Sequence, residues 1–135
     1  MGRKNSPSAN KELNELIAQY ETARAENRQL YLDGDQLADI ADQYAAGRKF
    51  NEAQEVITYG LHLHPDSTDL LVEQAYLYLD TGKIPLAKKV VESITDEYDT
   101  DVKMLKAELM LNEGQLENAR NVLDTIEDAD ELETI

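Results

Sequence analysis

Apolar residues in this chain recur every three or four positions, in runs broken at short intervals by glycine, proline and aspartate. That period is the spacing of one helix face, so the pattern predicts an all-helical chain. Leu13, Leu16, Ile17, Tyr20, Ala23 and Leu30 predict an amphipathic helix over 10–30, broken by Asp33-Gly34-Asp35. Further helices follow in pairs, over 35–46 and 51–63, then 68–80 and 85–94, then 101–112 and 116–126. Gly47-Arg48-Lys49, Thr81-Gly82-Lys83 and Glu113-Gly114-Gln115 make the turn inside each pair. Pro65-Asp66-Ser67 stops the first pair and caps the second. Pro85 falls in a first helical turn, where its missing N–H is no loss.

The pairs echo one another. Ala41, Tyr44, Phe50 and Ala53 return 34 residues later as Ala75, Tyr78, Ile84 and Ala87. They return again after 32 as Ala107, Met110, Leu116 and Ala119, the two missing residues coming out of the loop around Glu97–Thr100. A small residue with a bulky one a turn away lets two helices cross closely and fills the groove beside the crossing. A helix–turn–helix unit at this period predicts a stacked repeat array. The expected organisation is a flexible tail over 1–9 and a helix over 10–33 packing on the first repeat, then repeats over 34–67, 68–99 and 100–129. Acidic Glu127, Asp128, Asp130 and Glu131 suit the first turn of another helix, with Leu132 and Ile135 on one face. Residues 130–135 therefore read as the stub of a further helix, and the chain as a segment of a longer array.

Charge changes the picture of partners more than of fold. With 28 acidic and 13 basic residues in 135, the net charge is −15. Such a surface repels phosphate backbones, which argues against nucleic acid, and draws basic partners. There is no cysteine, so disulfide, thiolate and cysteine–metal chemistry are excluded. No apolar run reaches the ~20 residues that cross a bilayer, and the start lacks an apolar signal segment. A cytoplasmic protein that binds no membrane is the expectation. Gly2 and Ser6 match a minimal myristoylation pattern, a short one that recurs by chance.

The repeated positions resemble the tetratricopeptide repeat family across roughly Gly34 to Ile126. Ala41, Ala75 and Ala107 match the family's small crossing residue, and Tyr44, Tyr78 and Met110 its bulky partner. Ala53, Ala87 and Ala119 match the alanine of the second helix, Phe50 the aromatic before it, and Pro65 the closing proline. Three features depart: Lys103 stands where Leu37 and Leu71 are apolar, Asp99 replaces the closing proline, and Gly47 falls one residue early. The resemblance implies a right-handed helix–turn–helix solenoid of three repeats behind an N-terminal helix.

It also implies a concave groove lined by the first helix of each pair, holding a partner peptide or helix. On that footing Ala38, Asp39 and Asp42 face the groove from the first repeat, and Val72, Glu73, Tyr76 and Leu79 from the second. Met104, Leu105, Glu108 and Leu111 face it from the third. The strip combines apolar anchors with carboxylates and suits a basic or amphipathic segment. Repeats that clamp a chaperone's C-terminal carboxylate need Lys, Arg and Asn there, whereas Asp39, Asp42, Glu73 and Glu108 would repel it.

The expected function is a protein–protein interaction scaffold. The alternative is a small acidic chaperone of the secretion type that shields hydrophobic client segments. Self-association through the face around Leu132 is a third reading. His62-x-His64 lacks a third metal ligand, and no phosphate loop, Ser–His arrangement or dinucleotide fingerprint is present. No enzymatic activity, metal or cofactor is expected.

Overall fold

The computed structural model describes residues 7–133, with side chains over 10–126. Residues 1–6 of the expected tail, with Gly2 and Ser6, lie outside the described residues, as do 134–135. Among the described residues the chain forms seven helices and no strand. They are α1 (Pro7–Ala25), α2 (Gly34–Ala46), α3 (Phe50–Leu63), α4 (Thr68–Asp80), α5 (Ile84–Ser93), α6 (Thr100–Asn112) and α7 (Leu116–Glu133).

Local chemistry sets the helix starts. Asp33 opens α2 with a reciprocal box: its carboxylate accepts from the Gln36 N–H at 2.8 Å, and the Gln36 side chain accepts from the Asp33 N–H at 3.0 Å. Ser67 and Asp99 cap α4 and α6 by accepting from the N–H groups of Leu70 and Val102. Asp99, out of place as a closing proline, earns its position as this cap.

The ends of α1, α2, α4 and α6 share one device. At Asn27, Arg48, Gly82 and Gly114 the backbone turns left-handed, with φ between 52° and 78°. Each turn satisfies two carbonyls of the preceding helix. Lys83 and Gly82, for example, donate to the carbonyls of Tyr78 and Leu79. The turn residues inside the pairs keep the 34 and 32 spacing as Arg48, Gly82 and Gly114. Gly47 is early because Arg48 occupies the left-handed position, with its guanidinium 5.4 Å from the Phe50 ring. The same turn at Asn27 ends α1 at Ala25, short of the expected Leu30. Leu30 and Leu32 then run in the linker, where Tyr59 Oη donates to the Leu30 carbonyl and His64 Nε2 lies 2.9 Å from the Leu32 carbonyl.

The first helices stand in a row, α2 against α4 against α6, while each second helix packs on its own partner and α3 and α5 reach the next pair. α1 packs on α2, where Tyr44 Oη donates to Glu21 Oε2 at 2.6 Å. All six crossing alanines are buried: Ala41, Ala53, Ala75, Ala87, Ala107 and Ala119. Around them sit two cores. One is built on Leu37, Ile40, Val56, Ile57, Leu70 and Leu77. The other is built on Val72, Val91, Ile94, Val102, Leu105 and Leu109. Each such side chain contributes about 1.5–3 kcal/mol by leaving water. Between α3 and α4 an amide pair closes the seam: half-buried Gln54 and buried Gln74 exchange hydrogen bonds of 2.8 and 3.0 Å.

One expectation is corrected at the C-terminal end. α7 runs without a break from Leu116 to Glu133, so residues 130–133 are its last turn and not the start of another helix. Acidic residues at 127–131 signalled a helix start, but no glycine, proline or cap interrupts the sequence before them.

Candidate interaction groove

The neighbouring first helices α2 and α4 leave a cleft of about 250 Å³ toward their C-terminal ends. Its floor is apolar, made by Ala53, Ile57 and Leu77. Its walls carry Asp42 from α2 and Glu73, Tyr76 and Asp80 from α4. Room for the cleft comes from Ala45 and Ala46, whose small side chains line α2 where a larger residue would fill the gap.

Electrostatics at Tyr76 report what surrounds it. Burial raises its hydroxyl well above the ordinary tyrosine range, and Glu108, Asp101, Glu73 and Asp80 push in the same direction. The Glu108 carboxyl is also raised, first by burial and then by Asp80. Carboxylates from α4 and α6 thus converge on one tyrosine, and Asp42 adds another from α2.

The eleven residues expected to line a groove divide into three groups. Ala38, Val72 and Leu105 are corrected: they are 0%, 3% and 0% exposed and belong to the cores. Ala38 lies in the cluster with Leu70 and Leu77 of α4, and Val72 in that with Val102 and Leu105 of α6. The next helix in the row covers Ala38 and Val72, and Leu105 packs back into the core it shares with Val72 of α4, contacts that a single repeat unit read in isolation would not show.

Asp42, Glu73 and Tyr76 form the cleft wall, and Glu108 acts on Tyr76 from α6. Glu73 is buried as well as lining the cleft. Asp39 and Leu79 are half-buried and lie outside that lining. Met104 and Leu111 are exposed on α6.

Asp80 and Asp101 escaped the sequence reading. Asp80 follows Glu73 by seven residues, two helical turns along the same face, which is the signal that would have found it. Asp101 opens α6 and reads first as a first-turn acid complementing the helix dipole.

No described helix is long and apolar enough to cross a membrane. No curated protein and no solved structure matches the chain. The tetratricopeptide repeat family model matches residues 44–109, from the bulky Tyr44 of the first pair through most of α6. Repeats of this kind are protein–protein interaction modules. With that match over residues 44–109, and with every crossing alanine buried in register, the described residues form an all-helical solenoid of tetratricopeptide-like repeats.

Proposed function

We propose that this chain binds a basic segment of a partner protein in the cleft between α2 and α4. The observation that carries the reading is the convergence of Asp42, Glu73, Asp80, Asp101 and Glu108 around Tyr76, above an apolar floor. A cleft walled by carboxylates over an apolar floor presents negative potential to an approaching segment. A Lys or Arg side chain entering between Asp42 and Asp80 complements that charge. An adjoining apolar side chain of the partner covers Ala53, Ile57 and Leu77. Recognition therefore favours a segment that alternates basic and apolar residues, and it disfavours a free carboxylate or a phosphate group.

The test is a selection from an unbiased peptide library, followed by affinity measurements on the selected peptides by fluorescence anisotropy. The native chain is compared with the double variant Asp42→Lys, Asp80→Lys. Enrichment of Lys and Arg beside apolar residues, with affinity lost in the variant, supports the cleft. Peptides that lack basic residues, or that bind the variant equally well, refute it.

A further inference from the structure

Met104, Glu108 and Leu111 lie on one face of α6, four and three residues apart. Their counterparts one repeat earlier are Val72, Tyr76 and Leu79, and two repeats earlier Ala38, Asp42 and Ala45. The first member of each set tells the story: Ala38 and Val72 are 0% and 3% exposed, whereas Met104 is 40% exposed. In the row of first helices α4 covers α2 and α6 covers α4, and no described element covers this face of α6. Leu111 is 48% exposed, against half-buried Ala45 and Leu79. Leu116 is 67% exposed, against half-buried Phe50 and Ile84.

We propose that this face of α6 is a second docking surface, which seats an amphipathic basic helix of a partner protein in the place α4 takes on α2 and α6 takes on α4. The shape argument comes from the molecule itself, which twice lays a helix against this position and buries an apolar side chain there. Charge selects the occupant. Glu108 stands between the two apolar anchors, and residues 100–135 carry ten acidic side chains against three basic ones. A helix with an apolar stripe and flanking Lys or Arg complements both features. A second copy docked by a two-fold axis would set Glu108 against Glu108, in the most acidic third of the chain, and is disfavoured.

The probe is a synthetic helix about as long as α6, with a Leu/Ala stripe flanked by Lys; a second version replaces Lys by Glu. The readout is methyl NMR on methionine-labelled protein, because the chain has three methionines and, of the two that are described, Met104 lies on this face. Met110 borders the crevice between α5 and α6 and serves as the internal control. The Lys helix is expected to shift the Met104 methyl and leave Met110 in place. Affinity is expected to fall at least about tenfold in Met104→Glu, Leu111→Glu. These side chains are exposed, so the variant should keep native helicity by circular dichroism. Glu108→Lys is expected to reverse the preference toward the Glu helix.

Asp42→Lys, a cleft variant that leaves Asp80 and Glu108 untouched, should bind the Lys helix as the native chain does, which separates this surface from the α2/α4 cleft. The proposal is overturned if the Lys helix does not bind, or if it binds without moving Met104. It is overturned equally if the cleft variant and not the Met104/Leu111 variant abolishes binding. Dimerisation in sedimentation that protects the Met104 methyl would make a second copy the occupant and also overturn it.

Discussion

A single carboxyl shows how residue identity and surroundings combine here. Glu108 reads in the sequence as one acid among 28, yet burial and Asp80 raise its proton affinity in the fold. The folded chain therefore holds this proton more tightly than the unfolded chain does. Stability contributed by Glu108 is greatest at acid pH, where the group is protonated in both states. It declines as pH rises from the ordinary carboxylate range, about 4, through the raised value, and the full penalty stands above that. Glu108→Gln removes the penalty, so the variant is expected to be more stable than the native chain at neutral pH and equal to it near the acid end. Urea denaturation across that range checks the sign. A native chain that proves the more stable at neutral pH would mean that the ionised carboxylate has gained more than burial costs it. At this scale the sequence located the acids but not their burial. Glu73 and Asp39 occupy the same position one repeat apart and carry the same charge, yet Glu73 is 6% exposed and Asp39 only half-buried.

At the scale of elements, two helix seams differ because of one residue. Gly60 in α3 faces Leu70 of α4, and a Cβ at Gly60 would lie 2.8 Å from Leu70 Cδ1 and 3.4 Å from Leu37 Cδ1. The missing side chain is what lets α3 and α4 close. Thirty-four residues on, Ile94 stands in that register, α5 stops at Ser93, and a crevice of about 340 Å³ remains between α5 and α6. Gly60→Ala is expected to cost about 1–3 kcal/mol, since fully buried Leu70 has no open space to move into. Chemical denaturation measures that loss, and a neutral result would show that the core around Leu70 can repack. Helix existence and pairing were legible at this scale, as were the Asp33 and Ser67 caps. The end of α1 was not: Leu30 keeps the apolar rhythm, but Asn27 takes the left-handed turn and the apolar residue is used by the linker instead.

Charge acts at the scale of the whole molecule. Net charge is −15, but it is spread unevenly, and the segment from 100 to 135 is far more acidic than residues 1–30, where five basic residues face four acidic ones. The Debye length falls from ~30 Å at 0.01 M salt to ~8 Å at 0.15 M, so approach of a basic partner feels the entire field only at low salt. Association of a basic cleft peptide is expected to slow markedly across that range while dissociation changes little, because contacts inside the cleft are shielded from ions. Stopped-flow measurements at several salt concentrations separate the two rates. A salt-insensitive association rate would remove steering from the account.

The sequence alone determined the helical class, the stacking unit and its register, because a crossing alanine is a local requirement of two helices packed closely. It also determined the net negative charge of the chain. Which apolar residues remain available to a partner was decided only by the tertiary structure. Ala38, Val72 and Met104 are equivalent in the repeat, and burial separates them because a helix from the following pair lies over the first two and none of the described elements lies over the third. Exposure depends on what the rest of the chain places alongside, and a repeat motif by itself carries no record of its neighbours.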